Sequence, residues 1–386
     1  MKTLDKKHQD SIIYITLHAK EIFSKLRWPN GVVCPYYGEK HIWKFKSGLY
    51  KCSHCRRTFS DTSNTVYHST KLKIEYWLIA MYLLSMTKGV SSTELSRLLG
   101  VSQKSSWYML HILRLSMKQS DTVLKGDIAI DEVYLRGKWS SIIVPKKIEY
   151  MKKQGLYYPD DAKLTWSKQN ICRAISEYKQ PVFGMNDGNR IILRAIPNRF
   201  DSTDLLELIK LYGQDIDHLI SDQSTLYTEI GQKGFNVVQM NHSKREFRNG
   251  EFSSNRIEGT FSHLKRRYRC HYVRPDKKYM QLYLNEFVFR WNNREADALT
   301  RLAISVNLAV SCGRVTKQTI DSYNWASEFK PRKQKHYETI YDWLDTEWPA
   351  FASQITINGV TYNRKEFEQL KAKRAIFNID ESEMPF

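Results

Sequence analysis

Long apolar runs are missing from this 386-residue sequence. The longest, from Tyr76 to Leu84, is much shorter than the roughly 20 residues that a membrane-spanning helix needs, and it predicts a buried helix instead. The N-terminal segment also has no continuous apolar stretch, because Lys6, Lys7, His18 and Lys20 interrupt it. We therefore expect a cytosolic protein with no membrane partner.

Acidic residues are scarce relative to basic ones, 41 against 60, which gives a formal net charge of +19. Such an excess favours a polyanionic partner over the plainer alternative of a merely basic soluble protein. The excess is concentrated in two stretches, one with Lys44, Lys46, Lys51, Arg56 and Arg57, the other with Lys265, Arg266, Arg267, Arg269, Arg274, Lys277 and Lys278.

Cysteines are also few, six in all, and they occur without a secretory context. They therefore indicate reduced thiols or a metal site rather than a disulfide framework. Aromatic residues, by contrast, are plentiful, with 23 Tyr, 16 Phe and 10 Trp, which favours a packed core over disorder.

Residues 1–30 show helical spacing of apolar residues, and the breaker sequence Trp28-Pro29-Asn30-Gly31 ends the predicted helix. Its apolar positions are Ile12, Ile15, Ala19, Ile22 and Leu26.

Residues 31–70 predict a small zinc-ribbon-like β element with a hairpin turn at Ser47-Gly48. Cys34, Cys52 and Cys55 supply three of the four ligands of a structural zinc site, but Tyr37 stands where the fourth is expected. The fourth ligand is left open among His54, His41 and water. The alternative is a metal-free ribbon, with Tyr37 packed against the cysteines and a small core of Trp43, Phe45, Tyr50 and Phe59.

Residues 71–120 predict helices, including a helix-turn-helix. Leu95, Leu98 and Leu99 give the first helix its apolar face, Gly100 permits the turn, and Ser102 is the expected N-cap of the second helix. The alternative is an ordinary helical hairpin. If the motif binds DNA, the residues nearest base edges and phosphates are Gln103, Lys104 and Ser105.

Residues 121–310 alternate strand and helix patterns in the order strand, hairpin, helix, strand, helix, strand, helix, with a Lys-rich insertion near 138–168. The predicted hairpin turn is Asp187-Gly188, and Asp201, Ser202 and Thr203 are alternative caps of the helix after it. This order matches a ribonuclease H-like domain, a mixed five-stranded α/β sheet flanked by helices. The predicted fold class is therefore multidomain α+β, with ribbon, helix-turn-helix and this domain in succession, and with a tail of unknown role at 311–386.

Three carboxylates mark a candidate metal site. Asp131 and Asp222 each end an apolar run, as at a strand end, and Glu258 opens a basic helix. Glu132 is the rival of Asp131, but neighbouring strand residues point to opposite faces, so only one can reach the site. Lys265 lies nearly two turns after Glu258 on the same helix side. Such a trio suits a pair of Mg²⁺ ions acting on a phosphodiester.

These segments together resemble bacterial insertion-sequence transposases of the DDE class, in the group with an N-terminal zinc ribbon and helix-turn-helix. The resemblance covers about residues 30 to 310. Its motifs are Cys34-Pro35, YKCSHCRRTFS, GVSSTELSRLLGVSQKSSWYMLHILR, IDEVYLRGK, NHSK and NRIEGTFSHLKRRYR with FVFRWNNRE. The last block is the most specific, because it combines an acid, aromatic residues and a basic helix.

The resemblance implies that Asp131, Asp222 and Glu258 hold Mg²⁺ or Mn²⁺ and that Lys265 is their basic companion. It implies DNA cleavage at element ends and strand transfer into a target by a nucleoid-associated homo-oligomer assembled on double-stranded DNA. Further DNA contacts are expected from His242, Lys244, Arg266 and Arg267. The departure at Tyr37 puts Zn²⁺ binding in doubt.

Two other functions remain open at this point. One is a DNA-binding derivative that has lost the chemistry, against which the intact trio argues. The other is a structure-specific nuclease on the same fold. The pairing of a ribbon with a helix-turn-helix favours a sequence-specific end binder over such a nuclease.

Overall fold

The computed structural model describes residues 6–86, 89–118, 122–135, 180–197, 200–240, 248–249, 252–272, 275–329, 354–357 and 360–363. In these ranges the helices are α1 (Lys6–Arg27), α2 (Ile74–Ser85), α3 (Ser92–Leu99), α4 (Gln103–Ser116), α5 (Ser202–Tyr212), α6 (Thr225–Gln232), α7 (Asn255–Cys270), α8 (Met280–Asn292), α9 (Ala298–Ser311) and α10 (Lys317–Asp321). The strands are β1 (Ile42–Lys44), β2 (Tyr50–Cys52), β3 (Thr58–Phe59), β4 (Leu124–Leu135), β5 (Gln180–Asn186), β6 (Ile191–Ala195), β7 (Gly213–Asp222), β8 (Val237–Met240), β9 (Arg248–Asn249), β10 (Phe252–Ser253), β11 (Gln354–Ile357) and β12 (Val360–Asn363).

The chain divides into two compact units. The first comprises residues 1–136 and 176–329 and contains every element up to α10. The second comprises residues 137–175 and 330–386, of which the described part is the antiparallel hairpin β11–β12. The insertion expected near 138–168 lies outside the described residues, as does most of the tail after residue 329.

Across the described ranges, none of the helices combines the length and apolarity needed to cross a membrane.

The ribbon is a three-stranded antiparallel sheet in the order β1-β2-β3. Gly48 takes a φ of 81° in the β1–β2 turn, which confirms the turn predicted at Ser47-Gly48. The small core predicted for this region is only half correct. Tyr50 and Phe59 are buried beside the cysteines, but Trp43 and Phe45 are exposed, because β1 has no layer packed over its outer face among the described residues.

Helices from both ends of the first unit share one apolar core. The α2 helix lies at its centre with nine buried residues, which fits the buried helix expected from its apolar run. The α1 and α4 helices pack around it, and so do side chains from α8 and α9, among them Phe289, Leu302 and Val306. The N-terminal helices are therefore held by segments that follow the sheet in sequence.

The α3 and α4 helices meet at a tight turn. Gly100 takes a left-handed conformation with φ 66°, which a residue with a Cβ rarely adopts. Ser91 and Ser102 cap the two helices by accepting hydrogen bonds from the backbone N–H groups of Glu94 and Ser105. The predicted cap at Ser102 is thus present.

The central sheet has five strands in the order β6-β5-β4-β7-β8. The β4, β7 and β8 strands are parallel, while β5 and β6 run antiparallel as a hairpin on one side of β4. Alternate residues of β4 face different helices. Ala129 and Val133 face α7 and α8, whereas Ile128 and Ile130 face α5 and α6.

The element order and the mixed five-stranded sheet were predicted correctly, with local corrections. The β5–β6 turn has Gly188 and Asn189 as its central residues, one position later than Asp187-Gly188, because Asp187 pairs with Arg190. Among the three cap candidates of α5, Asp201 is the cap and forms a capping box with Asp204.

Candidate active site

Asp131 and Asp222 lie on adjacent parallel strands. Ala129 of β4 pairs with Ile220 of β7, and both side chains belong to the apolar layer under α7. Because side chains alternate along a strand, Asp131 and Asp222, each two residues further on, occupy equivalent positions on that same face. Both residues are half-buried.

The position of Asp131 within its strand differs from the prediction. Asp131 was expected to end a strand, but β4 continues to Leu135 because β5 pairs with it along that length. Asp222 does end β7. Beyond this point β4 has no parallel partner among the described residues, so Asp131 still lies where the parallel part of the sheet terminates.

Helix α7 approaches this face closely at Gly184 of β5, the residue that pairs with Asp131. A Cβ at Gly184 would lie 2.7 Å from Phe261 Cε1 and 2.9 Å from Ile257 Cδ1, distances that packed atoms do not adopt. Only glycine therefore allows this approach. Because Glu258 directly follows Ile257 on α7, the packing carries Glu258 to the same side of the sheet as Asp131 and Asp222.

A buried amide fixes the helix in this position. Asn186 Nδ2 donates to the Arg256 carbonyl oxygen at 3.1 Å and to Thr260 Oγ1 at 2.9 Å. At the start of the helix, Ser254 Oγ donates to Glu258 Oε1 at 3.0 Å. These contacts restrict both the first turn of α7 and the carboxylate that it carries. Sequence reasoning missed Gly184 and Asn186, since neither residue type signals such a role.

Glu132 lies on the opposite face of β4, where its carboxyl faces Tyr227 of α6. Burial raises the pKa of Glu132 to about 7, and the charges of Asp131 and Asp222 act in the same direction. The predicted alternation therefore holds: Asp131 is on the side of Glu258 and Glu132 is not.

The three carboxylates are oxygen donors of the kind that Mg²⁺ prefers, but their oxygens do not all lie within 4.8 Å of one another, since among the described residues only the ribbon cysteines form such a cluster. Asp222 Oδ1 is buried and has no hydrogen-bond partner among the described residues, and a buried carboxylate oxygen in that state is costly unless a cation binds it. Asp131 Oδ1 accepts a hydrogen bond from its neighbour's N–H at 2.7 Å, which orients the group. Half-buried carboxylates on one face are the oxygen ligands that Mg²⁺ prefers.

The basic residues of α7 lie on two sides of the helix. Lys265 is exposed and follows Glu258 by seven residues, on the same side. Arg266 is exposed and Arg267 half-buried, further round the helix. His242 and Lys244, the other predicted contacts near this helix, lie outside the described residues.

In the α3–α4 pair, Lys104 is exposed at the first turn of α4 and Ser105 is half-buried. Gln103 is exposed, but its Nε2 donates to Ser92 Oγ at 2.9 Å, which ties it to α3.

A buried ion network at the other end of α4 was not predicted. Arg114 Nε lies 2.7 Å from Glu286 Oε2, and Arg290 lies 3.0 Å from the other oxygen of Glu286.

The three ribbon cysteines form one cluster, with all three sulfur atoms within 4.8 Å of one another. Two similar turns build it. Gly38 N–H donates to the Cys34 carbonyl with φ 71°, and Arg56 N–H donates to the Cys52 carbonyl with φ 59°. Tyr37 consequently occupies the position in the first turn that Cys55 occupies in the second.

Neither Tyr37 nor a histidine side chain lies beside the three cysteine sulfur atoms, where a fourth zinc ligand was expected. Tyr37 is 64% exposed, and its ring packs against the His54 ring with 5.2 Å between the ring centroids, not against the cysteines. The His54 side chain points outward, and the His41 side chain is 89% exposed and bonded to Glu39. Neither histidine belongs to the cysteine cluster.

Two family models match the chain. Residues 123–292 match one described as an ISXO2-like transposase domain, and residues 17–58 match one described as a transposase zinc-ribbon domain. The first region contains Asp131, Asp222 and Glu258. A protein of Halobacterium salinarum, named as an uncharacterized protein in transposable element ISH50, is 24% identical over 292 residues, covering 72% of this chain and 93% of that protein.

The close approach at Gly184 predicts a large effect of one methyl group. In Gly184→Ala, the added Cβ overlaps Ile257 and Phe261, so we expect the free energy of unfolding to fall by about 1–3 kcal/mol. Urea denaturation measures this free energy of unfolding. The matched control is Gly259→Ala on the same helix, where a Cβ meets nothing within 4 Å among the described residues and helix propensity favours alanine. Equal stability of the two variants would contradict the packing account.

Proposed function

Because the chain belongs to the insertion-sequence transposases, whose zinc-ribbon and transposase domains it carries, we propose that it cleaves DNA at the ends of its element and joins them to a target. The observation that carries this proposal is the pair of aspartates at equivalent positions of β4 and β7, on the face that α7 covers with Glu258. The proposed reaction class is metal-dependent phosphodiester hydrolysis and transesterification.

The sheet supports the ribonuclease H-like classification. Its first three strands, β4, β5 and β6, form an antiparallel meander, and β7 and β8 then add in parallel on the other side of β4. Helices cover both faces. A mixed five-stranded sheet flanked by helices is the arrangement expected for that fold.

We assign Asp131, Asp222 and Glu258 as metal ligands. When bound, Mg²⁺ or Mn²⁺ activates the attacking oxygen and stabilises the leaving oxygen. The chain's own contribution is to hold the three carboxylates: strand pairing fixes the two aspartates, and Ser254 orients Glu258. To Lys265, which is exposed and follows Glu258 by seven residues, we assign contact with a phosphate beside the reacting one.

We assign sequence-specific DNA binding to α3 and α4 as a helix-turn-helix. Lys104 and Gln103 are exposed at the start of α4, the end of a recognition helix that approaches base edges. The buried face of α4 is fixed to α8 through Arg114 and Glu286, so the exposed face has a defined direction. Double-stranded element ends and target DNA are the proposed partners, and the proposed assembly on them is a homo-oligomer.

Charge removal at the trio tests the catalytic assignment. We expect Asp131→Asn, Asp222→Asn and Glu258→Gln each to lower cleavage of DNA carrying the gene's own flanks by about 100-fold or more in Mg²⁺, because an amide keeps the shape but loses the charge that binds the metal. DNA binding, measured by gel shift, should stay within about twofold. Glu132→Gln, on the other face of β4, is the matched control and should cleave nearly normally. Loss of cleavage in Glu132→Gln equal to that in Asp131→Asn would reverse the assignment.

The helix-turn-helix assignment predicts a phosphate contact by Lys104. Lys104→Ala should weaken binding to flank DNA and reduce the slope of log affinity against log salt by about 1, since one fewer counterion is released. Fluorescence anisotropy over a salt series measures the slope. Lys210→Ala, an exposed lysine on α5, is the control and should leave the slope unchanged. An unaltered slope in Lys104→Ala would remove this residue from the interface.

For the ribbon we propose weak Zn²⁺ binding by Cys34, Cys52 and Cys55, with the ribbon shape preserved by packing. The sulfur cluster supports a metal site, but a structural zinc site has four protein ligands, and Tyr37 leaves this one with three among the described residues. Tyr50 and Phe59 pack beside the cysteines and form a small core that does not depend on the ion.

Restoring the missing ligand tests this proposal. We expect Tyr37→Cys to bind Zn²⁺ at least about 100-fold more tightly than the natural chain, since it completes a four-thiolate site. Competition with a chromophoric chelator measures both affinities. The ribbon's circular dichroism and thermal transition should persist when the natural chain is stripped of metal. One zinc per natural chain that resists the chelator as strongly as in Tyr37→Cys would refute weak binding.

A further inference from the structure

A cationic pocket of about 420 Å³ lies among α7, α8 and α9, apart from the carboxylates. Five arginines line it: Arg266 and Arg267 from α7, Arg290 from α8, Arg294 just after α8, and Arg301 from α9. They come from three segments that only the fold brings together, so the pocket is not the solvated face of one basic helix.

The positive charge of this pocket is not balanced by its own lining. Among the described residues no carboxylate lines it. Two acids pair with its arginines: Glu286, which is buried and already shared between Arg114 and Arg290, and Glu295, which is exposed and lies 3.3 Å from Arg294 Nε. Burial, together with the charge of Arg290, lowers the pKa of Arg267, and burial with Arg267 and Arg290 lowers the pKa of His271. An anion in the pocket relieves this repulsion.

Two lining side chains have unused donors. Arg290 is 94% buried, and its terminal nitrogens bond to the Met86 carbonyl, the Tyr272 hydroxyl and Glu286. Its Nε is buried and has no partner among the described residues, and the same holds for Arg301 Nε. Because these two N–H groups are closed off from solvent, an anion in the pocket acts on Arg290 and Arg301 through the charge of their guanidinium groups.

An aromatic wall completes the pocket. Trp291 is half-buried and stacks on Phe287, with 5.9 Å between ring centroids. His263 meets its edge at 5.6 Å, and the Arg294 guanidinium lies 5.8 Å from its centroid. Cations beside an apolar aromatic surface match a sugar-phosphate backbone better than a small inorganic anion.

The position of the pocket relates it to the carboxylates. Arg267 follows Glu258 by nine residues, which is two and a half turns, so it lies on the opposite side of α7 and roughly 13 Å further along the axis. The offset along the axis alone corresponds to about four nucleotide rises of a duplex strand, and the width of the helix adds to it. A strand with one phosphate at the carboxylates can therefore reach the pocket with another.

We propose that this arginine pocket binds a backbone phosphate of the DNA strand, at least about four nucleotides from the phosphate at the carboxylate site. The inference rests on the proposed function only in naming DNA as the source of the phosphate. The pocket holds the strand across α7, so that DNA is anchored on both sides of the helix that carries Glu258.

Calorimetry with inorganic pyrophosphate tests the pocket on the full chain. We expect the natural protein to bind it, and Arg301→Gln and Arg266→Gln each to bind it about tenfold or more weakly, the loss expected for a charge-assisted hydrogen bond. Arg269→Gln is the matched control, an exposed arginine of α7 outside the pocket, and should bind it normally. Because Arg266 is exposed, Arg266→Gln should fold normally, so pyrophosphate binding can still be measured in it if Arg301→Gln does not fold. Two results would overturn the proposal that this pocket binds phosphate. One is no pyrophosphate binding by the natural protein at millimolar concentration. The other is a loss of binding in Arg269→Gln as large as in the two pocket variants.

Competition identifies the source of the phosphate. Protein saturated with duplex DNA from the gene's flanks should no longer bind pyrophosphate, because the strand occupies the pocket. Unchanged pyrophosphate binding by the DNA-bound protein overturns the assignment to DNA and leaves a free anion as the ligand. If pyrophosphate and DNA compete but no cleavage occurs in Mg²⁺, the proposed catalysis fails while the pocket stands.

Discussion

The close contact between helix α7 and the central sheet at Gly184 is the constraint on which the rest of the site depends. Strand pairing alone brings Asp131 and Asp222 to one face of the sheet, but Glu258 is far away in sequence and comes to that side of the sheet only through the packing of α7. The contact needs a residue without a side chain at Gly184 and an amide at Asn186 that bonds to the helix. Small residues at the sheet surface thus set the position of a carboxylate.

A second constraint links the α3–α4 pair to the helices after the sheet. Arg114, Glu286 and Arg290 are all nearly fully buried and form one charged network. Burial by itself raises the pKa of Glu286, but the two arginines hold it below its ordinary value, so the group stays ionised. Removing one partner of such a network leaves a buried charge uncompensated, which is strongly destabilising. The network therefore keeps α4 in one orientation relative to α8.

Much of this architecture follows from local sequence patterns. The apolar face of α7, with Ile257, Phe261, Leu264 and Tyr268, and the opposite directions of Asp131 and Glu132 follow from periods of 3.6 and 2 residues. The cap at Ser102 follows from a residue type that is common at the start of a helix. A sequence displays all of these directly. What the sequence does not display is contact between distant segments. Gly184 under Phe261, Arg114 beside Glu286 and five arginines around one pocket are each set by tertiary packing. The outward direction of the Tyr37 ring was misjudged for the same reason, because the space around three sulfur atoms depends on two turns at once.

The measurement that tests the account most directly is anomalous diffraction from crystals of the full chain with flank DNA and Mn²⁺. We expect manganese peaks at the end of the parallel strands, bound by Asp131 and Asp222 with Glu258 completing the ligand set. Manganese held by Glu132 on the face of Tyr227, or bound by the aspartates without any part played by Glu258, would contradict it.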